Sequence, residues 1–117
     1  MKILILEDSQ DRINFFIELF KGHEVNVTDD VDEAIALLSE GRFNLIMIDN
    51  DLGLDKKEGV ELAKFLASAQ NEHNENTTKI IHSFNISASQ KMKRMLPSAI
   101  CMPFNPSRFK QFIRTCA

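Results

Sequence analysis

The 117 residues include no tryptophan and no tyrosine, so the aromatic share of any core falls to nine phenylalanines. Cysteine is almost absent: Cys101 and Cys116 are too few and too isolated for a disulfide framework or a metal-ligand cluster, and in apolar context they fit buried thiols in a reducing cytosol. Neither sign of charge dominates. Fourteen basic and seventeen acidic residues leave a net charge of −3 and a pI near 5.6, which carries no electrostatic footprint for nucleic acid or a membrane surface. The apolar start, Ile3 to Leu6, meets a charge at Glu7, too soon for a signal peptide or a membrane span. No glycine-rich P-loop, HExxH motif, internal repeat or linker occurs. What is left is an expected single cytoplasmic domain over 1–117, long enough for one substantial core.

The chain is organised around Leu45-Ile46-Met47-Ile48, an apolar run short enough for a strand buried on both faces, which stops at Asp49-Asn50-Asp51-Leu52-Gly53. Asp, Asn and Gly are ordinary turn formers, so a polar turn is one reading of that stop. The other is a carboxylate cluster at the carboxyl edge of a sheet, where open α/β folds bind ligands.

The remaining segments alternate in type. Ile3 to Leu6 is a second apolar strand, ending in Glu7-Asp8. Ser9 opens a helix with Ile13, Phe16, Ile17 and Phe20 at helical spacing, stopped by Gly22. His23 to Thr28 alternates like an edge strand. Asp30 caps a second helix with Glu33 at capping-box spacing, and Val31, Ala34, Ile35 and Leu38 form its apolar stripe before Gly41. Beyond the central strand, Leu62, Phe65, Leu66 and Ala69 mark a third helix. The run from Asn71 to Thr78 reads as a solvated loop, and Lys79 to Phe84 as a fourth strand. A weaker helix over Ser87–Leu96 ends at Pro97, Ala99 to Met102 is a fifth strand, and Asn105-Pro106 opens a last helix carrying Phe109, Phe112, Ile113 and Cys116.

Five such β–α units predict an α/β, flavodoxin-like (βα)5 three-layer sandwich: a parallel sheet in order 2-1-3-4-5, covered on both faces. A closed barrel needs about eight units. In that order the switch point lies between strands one and three, so Glu7-Asp8 and Asp49-Asn50-Asp51 converge there. Carboxylates gathered at one edge need protons or a cation. Hard oxygen donors with open positions describe a Mg²⁺ site, and a carboxylate beside such a metal, Asp49, can serve as a nucleophile toward a phosphoryl group.

Over essentially its whole length the chain resembles a response-regulator receiver domain, through Leu4-Ile5-Leu6-Glu7-Asp8, Leu45-Ile46-Met47-Ile48-Asp49, Ser83 and Pro103-Phe104. The resemblance implies that Asp49 is the phosphoacceptor, Asp8 a direct metal ligand, Glu7 a ligand through water, and the backbone carbonyl of Asp51 the remaining protein ligand. Ser83 takes the place of the hydroxyl residue that hydrogen-bonds the phosphoryl group and couples it to conformational change. The implied partners are a histidine kinase or phosphotransfer protein and an unknown protein target, with the chain acting alone as a monomer or weak homodimer through its fourth helix, fifth strand and fifth helix. Lys91, Lys93, Arg94, Arg108 and Lys110 lie on that surface, either to read an acidic partner or simply as a solvated basic face.

One departure stands out: receivers carry a lysine before the proline that ends strand five, and here that position is Met102. Its absence removes a cation from a site to which Asp51 adds a carboxylate. The Met102-Pro103 bond is expected to be cis, as in the family. A narrower resemblance, carried by His82-Ser83-Phe84-Asn85 and Asp49-Asn50-Asp51-Leu52-Gly53, is to cyclic-phosphate-processing receivers. It leaves two further readings: a receiver that binds or processes a cyclic phosphate, and a degenerate interaction module. In the former, His82 is the candidate general acid or base. Strand alternation, with Ser83 taken to face the site, instead turns His82 toward a helix-covered face and favours a structural role.

Overall fold

A computed structural model describes residues 1–116, the side chain of Cys116 excepted. Five strands, β1 (Lys2–Leu6), β2 (Glu24–Thr28), β3 (Leu45–Ile48), β4 (Thr78–Ile81) and β5 (Ile100–Cys101), alternate with five helices, α1 (Gln10–Leu19), α2 (Val31–Glu40), α3 (Gly59–Leu66), α4 (Ile86–Met95) and α5 (Pro106–Cys116). All strand pairs are parallel, in the order β2-β1-β3-β4-β5. The expected flavodoxin-like (βα)5 architecture is therefore the observed one.

Strand alternation splits the sheet's apolar residues into two cores. Leu4, Leu6, Ile46, Ile48 and Ile81 point to α2, α3 and α4, whereas Ile3, Ile5, Leu45, Met47 and Ile80 point to α1 and α5. The second core is where phenylalanine replaces the missing tryptophan and tyrosine. Phe16 sits at its centre, edge-on to Phe15, Phe104 and Phe109 at 5.2–5.6 Å between centroids. Such pairs add about 0.5–1.5 kcal/mol each beyond their area burial.

The helix starts follow the expected chemistry. Ser9, Asp30, Asn85 and Asn105 each accept the N–H three residues on, satisfying a donor that the helix itself cannot.

Several expectations need correction. In α1, Ile17 is half exposed; the buried positions are Phe16 and Phe20, with Ile13, Phe15 and Leu19 partly covered. Helix α3 ends before Ala69, which is exposed, and Ala63 takes its place in the core. Strand β5 has two residues rather than four, and Cys101 is an exposed thiol, not a buried one. The expected contribution of Cys116 to the α5 stripe lies outside the described side chains.

The polar run Asn71–Thr78 is only partly solvated: Asn71, Asn74 and Thr77 are buried while the residues between them are exposed. Asn74 is fully buried, donating to Leu38 O (3.0 Å) and Gly41 O (2.9 Å) and accepting from Phe43 N–H (2.7 Å) and the Thr77 hydroxyl (3.2 Å). One amide side chain thus closes the α2–β3 connection against the start of β4. No cis peptide bond occurs among the described residues, so Met102-Pro103 is trans.

Candidate phosphoryl and metal site

The register that builds the sheet also builds the site. Leu6, Ile48 and Ile81 are cross-strand partners, and the ladder runs one residue further through Asp49 N–H to Leu6 O (3.1 Å) and His82 N–H to Ile48 O (3.0 Å). Glu7, Asp49 and His82 therefore form a row across β1, β3 and β4. They share the parity of Ile5, Met47 and Ile80, on the α1 side of the sheet. One ligand atom from each lies within 4.8 Å of the others, and all three residues are buried.

This corrects the reading of His82. Alternation does turn adjacent side chains to opposite faces, but the face that holds the carboxylates is the one His82 occupies. His82 Nε2 lies 3.2 Å from Glu7 Oε1, with the ring edge-on to Phe16 at 5.4 Å. Ser83 falls on the other side, where its hydroxyl accepts Asn85 N–H at 3.0 Å. Among the described residues it makes no bond to Asp49.

Glu7 is the most heavily bonded group in the row. Its Oε2 accepts the N–H groups of Asp8 (2.9 Å) and Ser9 (3.1 Å) and Nη2 of Arg12 (3.3 Å), while Oε1 pairs with Arg12 Nε at 2.7 Å and with His82. Burial alone raises a carboxyl's pKa; here the bonds from His82, Ser9 N–H and Arg12 outweigh it and hold Glu7 well below its ordinary range. His82 is fully buried, which lowers its pKa and keeps the ring neutral, with Nε2–H as the donor to the anionic Glu7.

Asp49 is the opposite case. Its Oδ1 accepts Asn50 N–H at 2.8 Å, but Oδ2 is buried with no hydrogen-bond donor and only Arg12 Nη2 nearby, at 3.7 Å. Burial first, and then the charge of Glu7, push this carboxyl up to about 7. Two adjacent carboxyls have been separated by their surroundings, one anionic and one poised near neutrality.

The other expected metal residues lie around this row. Asp8 is exposed, its pKa raised by partial burial and by Glu7. Asp51 is exposed too, and its carboxylate accepts Nδ2 of Asn50 (3.1 Å) and, more weakly, of Asn85 (3.4 Å). Asn50 is fully buried: its Oδ1 accepts Val60 N–H and its backbone carbonyl accepts Gly59 N–H, so it joins the strand end to the first turn of α3. A groove of about 640 Å³ opens beside it, lined by Asn50, Glu58, Lys64, Asn85 and Lys91 among others.

Two features escape the sequence reading. Arg12 supplies the cation of the site; its signal was a basic residue in the first turn of a helix, where the helix dipole disfavours it. Gly59 packs so closely that a Cβ would overlap the carbonyl of Asp49, a constraint that no local pattern announces. Met102, which the sequence already set apart, is partly buried and packs against the core under α1 and α5.

The family model described as the cyclic-phosphate processing receiver domain matches residues 2–98. No curated protein matches the chain. Among solved structures, the phosphorylated cyanobacterial phytochrome response regulator RcpA is 22% identical over 98% of this chain and 89% of its own, with a TM-score of 0.75. A CheY-like response regulator receiver domain protein from Methanospirillum hungatei JF-1 is 20% identical over 99% of this chain and 93% of its own, with a TM-score of 0.71. The Mn²⁺-bound form of response regulator Rcp1 is also 20% identical, over 97% of this chain and 88% of its own, at a TM-score of 0.71. At these identities the likeness establishes the fold.

Proposed function

The chain belongs to the cyclic-phosphate processing receiver domain family, and on that premise we propose that it is a Mg²⁺-dependent phosphoacceptor at Asp49. The observation that carries this reading is Asp49 Oδ2: a buried carboxylate oxygen that no hydrogen-bond donor reaches, beside a second carboxylate. The donor set fits a hard divalent cation. Asp8 and Asp49 would hold it directly, Glu7 through water and Asp51 through its backbone carbonyl, and the ion would supply positive charge where phosphoryl charge collects.

In this reading Asp49 Oδ2, deprotonated, attacks the phosphorus of a phosphodonor. The bond from phosphorus to the donor's leaving atom breaks, and that atom departs with the electron pair. Ser83, in the β4–α4 connection, reaches the new phosphoryl group only by leaving its bond with Asn85 N–H, and that move carries the change into α4. Residues 1–117 act as one receiver-like domain in the cytoplasm, a monomer or weak homodimer. It is charged by a histidine kinase or phosphotransfer protein and read by a protein target.

Intact mass after incubation with acetyl phosphate, with and without Mg²⁺, tests the reading. A metal-dependent phosphoryl adduct that Asp49→Asn abolishes supports it; bound Mg²⁺ without an adduct overturns it. The place of His82 beside Glu7 favours one alternative, in which a cyclic phosphodiester is opened with His82 assisting proton transfer. Hydrolysis of a nucleoside 2′,3′-cyclic phosphate, lost in His82→Phe, would mark that chemistry.

A further inference from the structure

We infer that Arg12 is the phosphoryl-binding cation of this site, supplied from helix α1 and not from the end of β5. The inference rests on the phosphoacceptor reading. A phosphoryl group on Asp49 brings about two negative charges into a pocket where Glu7 is already anionic, and the adduct needs a counter-charge from the chain as well as from a metal.

Among the described residues, Arg12 is the one cation that pairs with Asp49. Its Nη2 lies 3.7 Å from Oδ2, the carboxylate oxygen without a hydrogen-bond donor. At that separation the pair is electrostatic and short of a hydrogen bond. Arg12 Nη2 is only lightly engaged, in a 3.3 Å bond to Glu7 Oε2, while Nε holds the tighter 2.7 Å pair with Oε1. The guanidinium is thus held against Glu7 by an ion pair at Nε and a long hydrogen bond from Nη2, and Nη2 is also the atom that faces Asp49 Oδ2. A planar fork of this kind suits two phosphoryl oxygens.

Among the described residues, the β5 flank offers no cation paired with Asp49. Met102 is apolar and packs, partly buried, against the core under α1 and α5. Position is secured from above by Phe84, whose ring centroid lies 5.6 Å from Arg12 Cζ. That contact gives a purpose to a large side chain that is 60% exposed. Arg12 itself is a quarter exposed, open enough for an incoming phosphodonor to reach. It therefore binds the phosphoryl group and, through Phe84, touches the same β4–α4 connection that holds Ser83.

The test compares wild type, Arg12→Gln and Arg12→Lys, all with Asp49 intact. Rates of adduct formation from acetyl phosphate are read by intact mass, and binding of beryllofluoride, a phosphoryl analogue, by ¹⁹F NMR. Arg12→Gln is expected to slow adduct formation and weaken beryllofluoride at least about ten-fold, with Arg12→Lys recovering most of the loss. Mg²⁺ affinity without either anion is the second readout. It should hold or rise in Arg12→Gln, since a cation has been removed. Equal rates and equal beryllofluoride affinity in Arg12→Gln and wild type would overturn the inference while leaving the phosphoacceptor reading standing. Failure of wild type to form any adduct or to bind beryllofluoride would overturn both. Should Arg12→Gln fold poorly, Arg12→Lys against Arg12→Met in folded fractions makes the same comparison of charge at similar length.

Discussion

Glu7 and His82 come from strands at opposite sides of β3, 75 positions apart in sequence, and meet at 3.2 Å with both side chains buried. The neutral ring donates Nε2–H to a carboxylate that already holds Arg12. It thereby completes the set of donors that keeps Glu7 anionic while burial and Glu7 push the Asp49 carboxyl up to about 7. His82→Phe keeps the ring's bulk beside Phe16 but removes the donor. It should cost about 1–2 kcal/mol in urea unfolding, since Glu7 Oε1 keeps only its ion pair with Arg12. The Asp49 adduct should survive in this variant. Loss of the adduct with stability unchanged would place His82 in the chemistry and not in the support of Glu7.

Metal-free stability should depend on the Asp49 proton. The native carboxyl is pushed up to about 7 from 3.8, so between these values the folded chain holds a proton that the unfolded chain releases. Stability from this group is then full below about pH 4 and is lost as pH rises through about 7. Urea midpoints of the metal-free protein should fall across that window. Asp49→Asn should flatten the profile and be the more stable form at about pH 8, by up to about 4 kcal/mol. Saturating Mg²⁺ should restore the wild type at the upper end, because a cation there does what the proton does below. A wild-type profile as flat as that of Asp49→Asn would contradict the assignment.

Gly59→Ala should be far worse than a glycine-to-alanine change at a helix start, which ordinarily helps. The added methyl meets the carbonyl of Asp49, so the β3–α3 connection must shift. A loss of about 1–3 kcal/mol is expected, with Mg²⁺ affinity falling in parallel. Calorimetric titration of Mg²⁺ into folded Gly59→Ala checks the second part.

Asn74→Ala separates fold from site. It strips partners from two carbonyls, one N–H and the Thr77 hydroxyl, and should cost roughly 3 kcal/mol. The lesion lies at the opposite, amino-terminal end of β3 from Asp49. Mg²⁺ affinity of the folded protein should therefore stay at the wild-type value, and a drop would show coupling through the strand.

How much was legible in the sequence follows from the range of each interaction. Strand and helix order, the caps at Ser9, Asp30, Asn85 and Asn105, and the convergence of Glu7 with Asp49 are set by patterns a few residues long together with chain topology. Those rules are local, so the string of residues carries them. The face of His82 was not legible, because parity along a strand assigns a side only once one residue is fixed by its neighbours' register, and Ser83 was the wrong residue to fix. Asn74 looked like solvated loop because its four partners lie in or beside α2, β3 and β4. Arg12 and Gly59 matter through contacts with Glu7 and Asp49, made across the sheet edge at distances that no periodicity encodes. The sequence by itself determined which elements form and which strand ends are acidic. Only the tertiary structure decided which of those acids keeps its charge, because burial and donor contacts, unlike residue type, exist only after the chain has folded.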